Sequence, residues 1–117
     1  MPRLGNWIEP HPEGIYVRPA DAWVDPSGPK PRALVTHGHA DHARGGHGEV
    51  WATPETLAIM GVRYGEQEGR PVGYGESVRI GEVEVGFVPA GHVLGSAQIV
   101  LSNRRAGRST RAADRNQ

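Results

Sequence analysis

Short apolar runs separated by Pro, Gly and Asp recur along the chain, and this pattern predicts a fold built mostly from β-strands. The later runs alternate apolar and polar positions, which indicates a hairpin with one buried face. Pro or Asp-Pro follows the two earliest runs and disfavours helix there. The predicted strands cover residues 15–17, 22–24, 33–36, 50–52, 78–80, 83–87 and 97–101.

One helix is predicted to begin at Thr53, because Thr is a good capping residue and the Pro and Glu that follow suit a first turn. Leu57, Met60 and Tyr64 then fall on one helical face, and Gly65 can end the helix. The pattern as a whole predicts a mixed α/β (α+β) domain, mostly β-strands with one or two helices.

Composition narrows the class of protein. The chain has 117 residues, which suffices for one domain and is too short for two. It contains no Cys, which excludes a disulfide framework, a zinc ribbon and a thiol nucleophile, so any metal ligands must be His, Asp or Glu. No apolar run reaches the length of a signal peptide or a membrane span, so we expect a cytoplasmic protein with no membrane partner.

The net charge of zero is the sum of an acidic body and a basic tail. Residues 1–102 hold 8 Lys and Arg against 12 Asp and Glu, a balance of −4, whereas residues 103–117 hold 5 Arg and 1 Asp, a balance of +4. The tail has no aromatic residue and no aliphatic residue larger than Ala. We therefore expect a folded body over residues 1–102 and a disordered Arg-rich tail over residues 103–117.

A cluster of polar side chains directly follows the predicted strand at residues 33–36. His37 and His39 are two residues apart, so in an extended backbone both imidazoles point the same way and can reach one ion. Asp41 and His42 follow at once and can face a second ion after a turn. Imidazole and carboxylate ligands suit zinc, and also manganese or iron. The alternative interpretation is a His-rich surface turn.

For three further histidines the sequence gives a weaker indication of a role in a metal site. His92 lies in a Gly-flanked loop between two strands and supplies a third imidazole for the first ion, since three His and one water form a catalytic zinc arrangement. His47 follows two glycines and either orients a ligand, faces the substrate or is an exposed loop residue. His11, between two prolines, is interpreted as a turn residue.

The segment 36–42, Thr-His-Gly-His-Ala-Asp-His, resembles the signature of the metallo-β-lactamase superfamily. Together with the segments 43–48, 52–56 and 91–97, it is similar to the bacterial ligase-associated DNA exonucleases, relatives of the mRNA 3′-end processing nucleases. The resemblance covers about residues 7–101, roughly the first third of such an enzyme. It implies the N-terminal half of a metallo-β-lactamase αββα sandwich.

The resemblance also implies roles for the site residues. His37, His39 and His92 would bind the first metal ion, while Asp41 and His42 would bind the second and take part in catalysis. The family uses two Zn²⁺ ions, with Mn²⁺ as an alternative, to hydrolyse phosphodiesters. The implied partner is nucleic acid, DNA in preference to RNA, and the family name implies association with a DNA ligase in DNA repair.

The chain departs from the family pattern after residue 101 or 102. In the family a later carboxylate bridges the two ions and a further His completes the second site, but here no His follows His92 and the only later acid is Asp114. We interpret residues 103–117 as the product of a shifted reading frame or a degenerate gene end. The alternative is a genuine basic tail that contacts nucleic acid phosphates.

Three functions stay open at this point. The first is a DNA exonuclease, here truncated. The second is another hydrolase of the same fold, such as an RNA-processing nuclease, a thioesterase or a β-lactamase. The third is an inactive, truncated relic that binds one zinc ion. For such a half-fold we expect poor solubility, because one sheet would expose the apolar side chains of Val83, Val85, Phe87, Ile99 and Leu101.

Overall fold

Two β-sheets with one apolar core between them make up most of the structure. The computed structural model describes residues 7–38, 43–90, 96–103 and 108–112. A 3-10 turn at Arg18–Ala20 separates the second and third strands. The elements in chain order are β1 (Ile8–His11), β2 (Gly14–Val17), β3 (Ala22–Val24), β4 (Arg32–Leu34), β5 (Glu49–Ala52), α1 (Pro54–Tyr64), β6 (Gly69–Pro71), β7 (Ser77–Ile80), β8 (Val83–Pro89), β9 (Ala97–Asn103) and β10 (Arg108–Ala112).

The first sheet has the strand order β1-β2-β3-β4-β5-β6 and the second has the order β10-β9-β8-β7. In the first sheet β1, β2 and β3 are antiparallel, whereas β3, β4, β5 and β6 are parallel to one another. Every pair in the second sheet is antiparallel. The architecture is therefore mixed α+β, mostly strands with a single helix in the described residues, and is consistent with the predicted partial sandwich.

The core between the sheets corrects one sequence-based expectation. The five apolar side chains of the second sheet that we expected to be exposed are each 0% exposed, so that expectation is wrong. The first sheet covers them with an apolar face of its own. The side chains that the first sheet contributes are Val17, Ala22, Val24 and Leu34, and those that they meet in the second sheet are Val83, Val85, Phe87, Ile99 and Leu101.

Helix α1 confirms the predicted helix and its first cap. The Thr53 side chain accepts a hydrogen bond from the backbone N–H of Thr56 at 3.3 Å. Met60 and Leu57 pack on the outer face of the first sheet in a second, smaller apolar cluster. Tyr64 was predicted on the same face; its ring lies against Gly45 in the loop before β5, and the residue is 38% exposed. No helix in the described part of the chain is long and apolar enough to span a membrane.

The predicted strands are all present, and three others were not predicted. β1 and β6 are short and carry Pro among polar residues, so alternation cannot reveal them. β10 lies inside segment 103–117, for which we expected disorder, and pairs antiparallel with β9 from Arg108↔Asn103 to Ala112↔Ile99. Backbone hydrogen bonds to an existing strand do not depend on apolar side chains, so a polar segment can form such a strand. The origin of this segment in a shifted frame stays a hypothesis.

Candidate metal centre

The parallel strands of the first sheet end at one edge, and the polar residues that follow them meet there. Asp25 comes directly after β3, and Thr36 and His37 follow β4. β3 and β4 run parallel with Val24 opposite Leu34, so the two chain segments leave the sheet side by side. Ligands of α/β proteins commonly bind outside such carboxyl ends.

Asp25 holds the start of the segment that contains the predicted ligands. Its Oδ1 accepts a hydrogen bond from the backbone N–H of Thr36 at 2.8 Å, and its Oδ2 accepts one from the Thr36 hydroxyl at 2.7 Å. The backbone N–H of Asp25 donates to the carbonyl oxygen of Leu34 at 2.9 Å. Asp25 has a φ of +48°, a left-handed conformation that Asp and Asn tolerate better than most residues. This backbone conformation places both carboxylate oxygens on Thr36.

Thr36 in turn fixes the ring of His37. The Thr36 Oγ1 atom lies 2.9 Å from Nδ1 of His37, and both residues are 0% exposed. A hydroxyl carries a single proton, and here that proton is donated to Asp25, so Oγ1 accepts the Nδ1–H of His37. The tautomer that results has its lone pair on Nε2, which is the form a neutral imidazole needs to bind a metal ion. In the described part of the chain, this orientation makes His37 suitable as a single metal ligand.

The facing ends of β8 and β9 lie beside this edge. The backbone N–H of Ala97 donates to the carbonyl oxygen of Thr36 at 2.7 Å. The N–H of Ala90, directly after β8, donates to the carbonyl oxygen of Ser96 at 3.3 Å, and the Tyr74 hydroxyl donates to the same oxygen at 2.8 Å. The two sheets are thus joined at the position where the His-rich segment begins.

His47 contacts the segment that precedes β4. It is partly buried, and its Nδ1 accepts a hydrogen bond from the backbone N–H of Lys30 at 3.1 Å. Burial lowers the pKa of His47 below its ordinary value, and a hydrogen bond to the backbone of Arg44 opposes part of that effect. His47 therefore favours the neutral form and braces the loop against the segment before β4. This position is not that of an exposed loop residue.

Most of the predicted ligands fall outside the described residues. His37 is described, but His39, Asp41, His42 and His92 are not, so their predicted roles stay predictions. Within residues 7–38, 43–90, 96–103 and 108–112 no group of three His, Cys, Asp or Glu side chains could hold a metal ion.

His11, the remaining histidine, ends β1 just before the turn to β2. Its ring lies 3.1 Å from a carboxylate oxygen of Glu9 on the same strand, measured from Nε2 to Oε1. His11 is exposed. Its strand β1 is at the edge of the first sheet and is separated from β4 by β2 and β3. It has no part in the candidate centre.

Sequence reasoning gave Asp25 no role in the site. An Asp between a strand and a Pro was interpreted only as a strand end. The hydrogen bonds that reveal its role join residues 11 positions apart in the sequence. The available signal was a carboxylate at the end of one predicted buried strand and a His-rich segment at the end of the next.

A curated protein is similar to the chain in sequence. No protein-family model matches the chain. The chain is 30% identical over 103 residues to a curated protein of Opitutus terrae named "Probable DNA ligase", and the match covers 86% of this chain and 10% of that relative. The chain thus spans about a tenth of the length of this relative.

Two solved structures are similar to the chain. A protein of unknown function from Enterococcus faecalis V583 has a TM-score of 0.52 and 17% identity, covering 62% of this chain and 22% of that protein. The E377D mutant of CmlA beta-hydroxylase, a metallo-β-lactamase-fold protein, has a TM-score of 0.50 and 18% identity, covering 80% of this chain and 29% of that protein. At these identities the likeness concerns the fold alone.

Proposed function

We propose that this chain forms part of the metal centre of a metal-dependent hydrolase of the metallo-β-lactamase superfamily, with the phosphodiester bonds of DNA ends as substrate. One observation carries the proposal. The His37 ring is buried, its Nδ1 lies at hydrogen-bond distance from the Thr36 hydroxyl, and that hydroxyl donates to Asp25, so in a neutral His37 ring Nε2 is the nitrogen left to bind a metal ion. A chain of this kind, which orients a histidine and raises its basicity, is typical of metal ligands in proteins.

The residues divide the work as follows. His37, together with His39 and His92, would hold one zinc ion, and Asp41 with His42 would hold a second and assist proton transfer. Bound zinc supplies a Lewis acid for phosphate oxygens and lowers the pKa of a water molecule toward neutrality. Asp25 and Thr36 would keep the His37 ring in one orientation throughout, so that no reorganisation is needed when substrate binds.

DNA is the proposed substrate for two reasons. The segments around the His-rich sequence resemble ligase-associated DNA exonucleases, and the curated relative carries the name of a DNA ligase. The name also supports association with a ligase in DNA repair. The body of the chain has a charge of −4, so it offers no general attraction to a polyanion, and a basic patch that binds phosphate would be local or lie outside this chain.

Zinc affinity is the first experiment, measured on the 117-residue chain by competition with a chromophoric chelator. We expect the wild type to bind zinc and His37→Gln to lose tight binding, while His11→Gln, which changes an exposed histidine at the end of β1, binds like the wild type. Equal zinc affinity in the wild type and His37→Gln would contradict the proposed centre.

Substrate class is decided by a second experiment. The zinc- and manganese-loaded protein is given end-labelled DNA duplex, the matching RNA and a thioester side by side, with His39→Ala as the inactive control. Hydrolysis of DNA alone supports the exonuclease. Hydrolysis of RNA or thioester instead supports another hydrolase of the same fold, and zinc binding with no hydrolysis supports a metal-binding relic.

A further inference from the structure

The carbonyl oxygen of Gly38 accepts a hydrogen bond from the side chain of Arg63 on α1. The Nη1–O distance is 2.7 Å, and the two residues lie 25 positions apart in the sequence. Gly38 stands between His37 and His39, which are both proposed ligands of the first ion. The donor is a permanently charged guanidinium, so this bond belongs to the stronger class of protein hydrogen bonds.

Ile59, also on α1, packs against Gly38. A Cβ atom built on Gly38 would lie 3.0 Å from Cγ2 and 3.1 Å from Cδ1 of Ile59. Ile59 and Arg63 are one helical turn apart and therefore neighbours on the surface of α1. Glycine at position 38 allows the helix to approach the backbone closely enough for Arg63 to reach the carbonyl oxygen.

We propose that Arg63 is a positioning residue that fixes the backbone at Gly38, directly after the proposed ligand His37. The Gly38 carbonyl belongs to the residue directly after His37, so holding it limits how far the backbone at His37 can move. The segment is then held from two sides: Asp25 holds Thr36 from the strand edge, and Arg63 holds Gly38 from the helix. The metal part of this inference rests on the proposed function.

The closing experiment compares Arg63→Gln with Arg79→Gln, which changes an exposed arginine on β7 in the second sheet. Two quantities are measured on each 117-residue variant: hydrogen–deuterium exchange of peptides covering residues 36–43 without metal, and zinc affinity. We expect Arg63→Gln to speed exchange in those peptides and to weaken zinc binding by roughly tenfold. Exchange in the peptides of β8 and β9 should stay as in Arg79→Gln, which a general loss of stability would not allow.

The outcomes test the positioning role of Arg63 separately from the proposed metal centre. If Arg63→Gln matches Arg79→Gln in both quantities, the positioning role is overturned whatever the wild type binds. If Arg63→Gln speeds exchange at residues 36–43 but no variant binds zinc, the positioning role of Arg63 is supported and the proposed metal function fails.

A second pair of variants tests the close approach of the helix. Gly38→Ala should speed exchange in the same peptides by pushing Ile59 and its helix away, and Gly38→Ala combined with Ile59→Ala should restore slow exchange. Slow exchange in Gly38→Ala alone would overturn the part played by the glycine.

Discussion

The backbone N–H of Ala97 donates to the carbonyl oxygen of Thr36 at 2.7 Å, and this bond ties the second sheet to the first at the candidate metal centre. Ala97 begins β9 and lies five residues after His92 in the sequence. Thr36 stands directly before His37. The bond therefore brings the residue that follows the His92 segment next to the residue at which the His-rich segment begins, although the two are 61 positions apart in the sequence.

Asp25→Asn should weaken zinc binding by roughly 10- to 100-fold, because an amide cannot accept both hydrogen bonds from Thr36 and the His37 ring loses its fixed tautomer. The loss of one bond to a charged group should also lower the free energy of unfolding by about 1.5–3 kcal/mol. Chelator competition and urea denaturation measure the two effects.

Asp21→Asn is the matched control for this change. Asp21 also has a positive φ, +51° against +48° for Asp25, and its carboxylate accepts a hydrogen bond from the Tyr16 hydroxyl on an exposed surface. We expect its zinc affinity to equal that of the wild type. The same loss of affinity in both variants would remove Asp25 from the centre.

His47 should make stability depend on pH between neutrality and mild acid. Burial lowers its pKa in the folded state below the ordinary 6.5. The unfolded chain therefore takes up a proton first as the pH falls, so the stabilising contribution is complete above about pH 6.5 and is lost as the pH falls through the folded-state pKa. His47→Gln should show a flatter dependence.

The measurement is urea denaturation at several pH values from 8 to 5, with His11→Gln as the control for an exposed histidine. Subtracting each variant from the wild type isolates the contribution of one ring. Identical pH dependence in the wild type and His47→Gln would contradict burial of the His47 ring.

Gly81→Ala should destabilise the sandwich by more than about 1 kcal/mol. Gly81 has a φ of +61°, and a Cβ atom there would lie 2.2 Å from the carbonyl oxygen of Pro19. Gly75→Ala separates strain from collision, since Gly75 has a φ of +82° but no atom within 4 Å of the added carbon. Thermal unfolding should show the larger loss for Gly81→Ala, and equal losses would mean that the contact with Pro19 is absent.

Substitutions that shorten buried side chains test the core between the two sheets. Leu101→Ala should lower the free energy of unfolding by about 2–5 kcal/mol, and Ile99→Val by about 0.5–1.5 kcal/mol, because both side chains are 0% exposed. Val62→Ala, at a position 91% exposed, should change it by less than about 0.5 kcal/mol. Similar small losses at all three positions in urea denaturation would mean that no packed sandwich forms.

The sequence predicted the local elements well because their signals are local. Alternation revealed β8, and the Thr53 cap with its following Pro revealed the start of α1. Alternation shows which side of a strand is apolar, but it does not show which surface covers that side. The burial of Phe87 against the first sheet was therefore missed, and the wrong expectation of an exposed face followed.

In the candidate site, too, the sequence predicted the local feature and missed the long-range contacts. The spacing of the His-rich segment pointed to His37 and indicated metal chemistry. The partners of that segment, Asp25 on one side and Arg63 on the other, lie 11 and 25 residues away and are brought there by sheet pairing and helix packing. Neither distance in the sequence leaves a periodic signal, so only the folded chain could reveal them.

The bond between Ala97 and Thr36 also has a kinetic consequence. Contacts between residues distant in sequence form slowly, because a long loop must close before such a contact can stabilise the fold. The hairpin of β7 and β8 is local and should form early. The centre would thus be assembled in the last stage of folding, when the two sheets dock. A metal ion bound at the proposed centre would therefore stabilise the docked arrangement of the two sheets over the undocked one.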